Sequence, residues 1–239
     1  MASTLLIRHA QASFGTADYD RLSALGIVQA RLAGEFLATT VRPIARIVTG
    51  SLARQRDTAT EIAAAVTQVM GQSPDIILDQ RLDELCIDEL IARIAPGLDD
   101  PTGEIAFDLA NAKTSSRSYQ KAIRHVFAKW QAMPGDAAIE SWPAFMARAR
   151  TAIREITSRT PRGTTTIAVS SGALIAAVAQ HVLGLPGEAV YTLFEAMRNC
   201  SITHLLHSRD RISLSSFNDT TYLAAMGMTR SLPDLVTYR

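Results

Sequence analysis

Apolar and polar positions fall in blocks along this chain, and the period changes from block to block. "TLLIRH" (4–9) is a short apolar run that reads as a buried strand. "SALGIVQARLAGEFLATT" (23–40) carries Leu25, Val28, Leu32, Phe36 and Leu37 at helical spacing, with Ser23 placed as its N-cap. "RIVTG" (46–50) predicts a second strand, "ARQRDTATEIAAAVTQVM" (53–70) a second helix, and "DIILD" (75–79) a third strand. Strands alternating with helices predict βαβ units around a parallel sheet, the α/β class.

The middle of the chain reads differently. Residues 91–117 are rich in Pro, Gly and Asp, with "APGLDDPTGE" at their centre, and predict a loop. Two helices follow at about 118–132 and 143–159; the second places Phe145, Met146, Ala149, Ile153 and Ile156 on one core-facing side. The sheet pattern resumes with "TTTIAVSS" (164–171). A small-residue helix, "GALIAAVAQHVLGL", comes next and is closed by Gly184 and Pro186. "CSITHLLHS" and "RISLSSF" predict a closing pair of strands joined by "RD". No repeat or low-complexity linker interrupts the chain. The expectation is a single domain over residues 1–239 with a helical insertion at 91–160.

Composition narrows the function. The chain has 239 residues, 47% apolar and 20% charged, which suits a soluble globular enzyme with a full core. A net charge of +1 gives no global pull toward nucleic acid or a membrane surface, so neither is an expected partner. Any anion recognition must be local. Cys86 and Cys200 have no metal-ligand spacing and read as reduced, mostly buried thiols. No run is long enough to span a membrane, and "LLI" is broken at once by Arg8, so a cytoplasmic location is expected.

The candidate chemistry sits at strand ends. A buried strand that finishes in Arg8 and His9 is unusual, because an interior rejects an unpaired Arg. In open α/β sheets ligands bind outside the carboxyl ends of the strands. There the second strand leads to Arg54 in "TGSLARQR", and "IAVSSG" ends in Ser170 and Ser171 at a helix start. Two guanidinium groups, an imidazole, two hydroxyls and helix N-termini make an anion pocket from dispersed parts. The other histidines read as structural. His125 and His181 lie within helices, and His204 and His207, three apart on a strand, face opposite sides.

The order of "LLIRHAQAS", "DRLSALGIVQA", "SLARQRDTA", "RLDEL", "AVSSGALI" and "FNDTTYL" resembles the histidine phosphatase superfamily, the phosphoglycerate-mutase-like fold, over nearly the whole chain. The resemblance implies a three-layer αβα sandwich with a mainly parallel central sheet. It implies His9 as the nucleophile that takes a phosphoryl group, Arg8 and Arg54 as phosphate ligands, and Glu84 as general acid toward the leaving oxygen. Ser171 falls where the family carries a second His that contacts the phosphoryl group, and is expected to bind phosphate. No metal or other cofactor is implied; the expected partner is a small phosphorylated molecule, and a homodimer stays open.

The sequence departs from the family pattern in several places. Ala10 replaces a glycine, Gly15 stands where mutases have Asn, and "ELCIDEL" lacks the mutases' Gly-rich stretch. Tyr222 replaces a His near the C-terminus, and Ser171 replaces the second catalytic His. The expected activity is therefore a weak, metal-independent phosphatase acting through a phosphohistidine on His9. The alternatives are a phospho-ligand-binding protein without turnover and a phosphoglycerate-type mutase. A rival from another class treats Ser171 as a hydrolase nucleophile served by Glu195 and His204 or His207, but leaves Arg8, His9 and Arg54 without a role.

Overall fold

The computed structural model of the protein describes residues 1–13, 20–41, 43–112, 114–136, 138–209, 211–232 and 234–238. Gly15 and Asp210 of the "RD" turn lie outside them. A mixed six-stranded sheet is built from β1 (Ala2–Arg8), β2 (Ile44–Thr49), β3 (Ile76–Leu78), β4 (Thr165–Ser170), β5 (Ile202–Ser208) and β6 (Arg211–Asp219), in the order β3-β2-β4-β1-β5-β6. The first four positions in that order are parallel; β5 runs antiparallel to β1, and β6 to β5. The register pairs Arg8 with Ser170, so β1 and β4 finish side by side.

Alternation along the strands feeds two cores. Leu5, Ile7, Ile47, Ile167 and Val169 pack on one face against α1 (Ala24–Thr40), α2 (Ala53–Met70) and α9 (Thr221–Arg230). Leu6, Val48 and Ala168 face the other way, onto α3 (Ile87–Ile94), α5 (Ser116–Ala132), α6 (Trp142–Ser158) and α7 (Gly172–Leu183). The result is the expected three-layer αβα sandwich. Ser23 caps α1 as expected, accepting the Gly26 N–H at 3.0 Å. The α1–α2 contact depends on Gly34, where a Cβ would lie 2.7 Å from both the Ala65 side chain and the Ile62 carbonyl.

The region expected to be a loop is more ordered than its composition suggests. α3 runs to Ile94, and α4 (Glu104–Asn111) forms between turns, its start set by Gly103 at φ 73°. Two more short helices were not anticipated: α8 (Ala189–Glu195) and α9. β1 also stops at Arg8, one residue before His9. α6 packs against β1 and α7. Tyr222 is buried on α9, stacks on Phe36 with ring centres 4.7 Å apart, and donates its hydroxyl to the Cys200 carbonyl at 2.6 Å. It is a packing residue. Of the two thiols, Cys200 is buried but Cys86 is exposed, against expectation.

Candidate active site

The end of β1 is fixed from three sides. The His9 N–H donates to the Ser170 carbonyl at the tip of β4 (2.8 Å), and the His9 carbonyl accepts from the Asn199 amide (3.2 Å). The next N–H, of Ala10, donates to Thr58 Oγ1 on α2 (3.0 Å). His9 is thus held where the strand has ended and cannot slide along the sheet.

The imidazole is held as firmly as the backbone. His9 Nδ1 is 2.8 Å from the Ala10 carbonyl, which can only accept, so Nδ1 carries the proton. Nε2 is then the free base, and it accepts from Arg54 Nε at 3.2 Å. Burial drives the His9 pKa well below its usual 6.5, and the positive charges of Arg54 and Arg8 push the same way; the Ala10 carbonyl opposes them. A neutral imidazole whose Nε2 lone pair faces the Arg54 guanidinium suits attack on a phosphorus atom.

The two arginines come from different elements. Arg8 donates from Nη1 to the Met197 carbonyl at 2.5 Å. Arg54, in the first turn of α2, is paired through Nη1 with Asp20 Oδ1 at 2.5 Å, and the other Asp20 oxygen accepts the Ala53 N–H at 2.7 Å. Asp20 therefore aims Arg54 and also occupies the α2 N-terminus.

Glu84 follows the short 3₁₀ turn at 80–82. Its Oε1 accepts the Leu85 N–H and its Oε2 the Ala173 N–H of α7, each at 3.1 Å. Desolvation raises its pKa above 4.5; the Ala173 N–H and the Arg54 charge offset only part of that. The carboxyl is thus biased toward the protonated form that a general acid needs. Its neighbour Asp83 is committed elsewhere, accepting from the Ser51 N–H and hydroxyl at 2.5 Å each. Asp88 is exposed in the first turn of α3.

Arg8, His9, Arg54 and Glu84 line one cleft of about 270 Å³. Larger clefts of about 470 Å³ beside β3 and about 1010 Å³ at the opposite end of β1 hold none of the four. Chemistry, not size, selects the site. Among the described residues no three His, Cys, Asp or Glu side chains cluster to hold a metal ion.

Ser171 departs from expectation. It sits fully buried at the N-cap of α7, outside the cleft lining, and its hydroxyl accepts from Gln55 Nε2 at 2.9 Å. The same Gln55 nitrogen donates to the Leu82 carbonyl at 3.0 Å. The rival serine-hydrolase grouping is not assembled either. Glu195 pairs with Arg124 at 2.8 Å, while His204 and His207 bond to Ser3 and Thr4 on β1. Sequence reasoning missed Asp20, Gln55 and Asn199. Their only signal is polarity beside a motif; their partners lie 34, 116 and 190 residues away.

Residues 4–94 and 92–220 match the profile of the histidine phosphatase superfamily (branch 1). Among solved structures, a phosphoserine phosphatase mutant from Entamoeba histolytica in complex with phosphoserine is similar, with 19% identity, 93% of this chain and 100% of that one covered, and a TM-score of 0.62. A mycobacterial glucosyl-3-phosphoglycerate phosphatase complexed with VO3 gives 24% identity, coverage of 91% and 99%, and a TM-score of 0.61. A phosphoglycerate mutase from Bacillus anthracis gives 18%, 93% and 95%, and 0.60. No curated protein matches the chain. No helix among the described residues is long and apolar enough to cross a membrane.

Proposed function

Because the chain belongs to the histidine phosphatase superfamily, we propose that it hydrolyses a phosphomonoester through a phosphohistidine on His9. One observation carries this reading: His9 presents an unprotonated Nε2 to a cleft it shares with Arg8, Arg54 and Glu84. Nε2 attacks phosphorus, and the ester P–O bond breaks. Arg8 and Arg54 neutralise the phosphoryl oxygens, which is most of what phosphoryl transfer asks of a protein. Glu84 gives its proton to the departing alkoxide. As a carboxylate it then takes a proton from the water that cleaves the P–N bond. Two guanidinium groups supply the positive charge, so the reaction is metal-independent. Two free cysteines suit a cytoplasmic setting.

A reactive phosphodonor should leave an acid-labile, base-stable adduct on His9. An adduct mapped elsewhere, or full turnover by His9→Ala, overturns the assignment. A second reading, binding of a phosphorylated ligand without turnover, draws on the burial of Ser171, where the family resemblance leads one to expect a second imidazole. A single-turnover assay separates the two, since only the phosphatase releases alcohol.

A further inference from the structure

We infer that the cleft takes monoesters of small, uncharged, ring-bearing alcohols, and rejects esters that carry a second anionic group. This rests on the phosphatase reading for the phosphate end of the cleft. It concerns the other end, where the alcohol must lie.

The cleft's cationic side chains among the described residues, Arg8 and Arg54, both serve the His9 end. The rest of the lining is largely apolar and aromatic: Ile87, Tyr119, Ile123 and Tyr191, with Met197 accepting from Arg8 and Phe194 flanking Gly172 as Arg8 does. The lining's other charged groups, besides Glu84, are two carboxylates, Asp88 and Glu195. Arg124 meets the charge of Glu195 at 2.8 Å and lies 5.6 Å from the centre of the Tyr191 ring, so its charge is taken up by Glu195 and Asp88 keeps its own. A carboxylate or second phosphate on the substrate would have to compete with Glu195 for Arg124 and would face Asp88. An acid such as a phosphoglycerate is therefore a poor fit, which also weighs against the mutase alternative.

The aromatic wall is built before any ligand arrives. Phe194 stacks on Phe127 with ring centres 5.5 Å apart and an interplanar angle of 13°. Tyr191 meets Phe127 edge-on at 5.4 Å and donates its hydroxyl to the Gln120 carbonyl at 2.9 Å. Gly172 lets the Phe194 ring lie against the start of α7, where a Cβ would stand 2.9 Å from that ring. Preset rings lose little freedom on binding a flat or apolar group. The volume of about 270 Å³ is just below the usual range for drug-sized ligands, which suits an alcohol of about one ring beside the phosphate.

The test uses paired esters with similar leaving groups. Benzyl phosphate should exceed ethyl phosphate in kcat/KM by about tenfold or more, the usual gain for burying a ring. The 4-methylbenzyl ester should exceed the 4-carboxybenzyl ester by a similar factor. Asp88→Lys, at an exposed position that risks no core packing, should shrink the second ratio, and Phe194→Ala the first. Calorimetry with benzyl-, ethyl- and 4-carboxybenzylphosphonate reads the same preferences without turnover. Turnover with no ring preference, or with the carboxylated ester preferred, overturns the inference and leaves the phosphatase reading standing. No turnover with tenfold tighter binding of benzylphosphonate than of the other two does the reverse. No turnover and no such difference in binding overturns both.

Discussion

The Gln55 amide donates to the Ser171 hydroxyl at 2.9 Å, and both residues are fully buried. Gln55 also sets its neighbour. A Cβ on Gly50 would lie 2.0 Å from Gln55 Oε1 and 2.6 Å from Asp83 Oδ1. Gly50, Gln55 and Ser171 are one packing unit, and a change at one is felt at the others.

Ser171→His alone is therefore expected to fail. The imidazole has to enter space that the Gln55 amide fills, at a cost of about 1–3 kcal/mol. For a chain of this length that lowers Tm by roughly 2–4 °C per kcal/mol. Gln55→Ala with Ser171→His frees the volume. The double variant should recover stability over the single one and raise turnover of an aryl phosphate by up to ~10²-fold, the lower end for adding one well-placed donor. Thermal melts and aryl phosphate assays of wild type, both single variants and the double variant check this; a double variant no faster than wild type refutes it.

Glu84→Gln should slow alkyl phosphates by ~10²–10⁴. Aryl phosphates, whose leaving groups need little protonation, should lose far less. Asp83→Asn should not reproduce this split, because Asp83 is bonded to Ser51. Equal losses of alkyl and aryl turnover in Glu84→Gln would make Glu84 a binding group instead.

The pH profile of kcat/KM should be a bell. Its acid limb follows His9, which must be neutral and titrates well below 6.5. Its alkaline limb follows Glu84, which must be protonated and titrates above 4.5. Stability carries the same two groups with opposite signs. Between the lowered native pKa of His9 and 6.5, the unfolded chain binds a proton that the native state refuses, so His9 makes stability rise with pH. Between 4.5 and the raised native pKa of Glu84, the native state holds the extra proton, so Glu84 makes stability fall with pH. Denaturant melts of His9→Asn and Glu84→Gln should tilt the stability–pH curve in opposite directions; tilts of the same sign contradict these assignments.

Vanadate or phosphate should stabilise the fold without any metal. At a hundred times Kd the gain is about 2.7 kcal/mol, roughly 5–10 °C in Tm. Arg54→Met should remove most of the shift, because it deletes one of the two guanidinium groups at the His9 end. An unchanged shift in that variant, read by calorimetry in the presence of a chelator, would place the anion elsewhere.

What the sequence revealed, and what it hid, follows from distance along the chain. Arg8, His9 and Arg54 stand in short stretches beside strand ends or helix starts, and the hydrophobic pattern located those ends; Glu84 came only from the family resemblance of "RLDEL". The Gln55–Ser171 pair spans 116 residues and Asp20–Arg54 spans 34, so no local pattern announces either. The helices missed were short ones decided by tertiary contact. α9 is closed by the burial of Tyr222 and Leu223, and α4 follows a loop whose Gly and Pro content outweighs its own helical pattern. Ser171 was read correctly as a strand-end residue, but nothing in "AVSSGALI" shows that a glutamine on α2 reaches it first.

The two halves of the cleft descend from separate parts of the architecture. The His9 end is made by β1 and the first turn of α2, both seated on the sheet. Most of the remaining wall is carried by α3, α5 and α8, which join it from outside the strands. Mutation can therefore redraw the wall while the strand-end chemistry stays under its own constraints. A lineage built this way can trade one alcohol for another by drift in three helices, and a library randomised only at Ile87, Tyr119, Tyr191 and Phe194 would sample new substrates while leaving the phosphoryl-handling residues untouched.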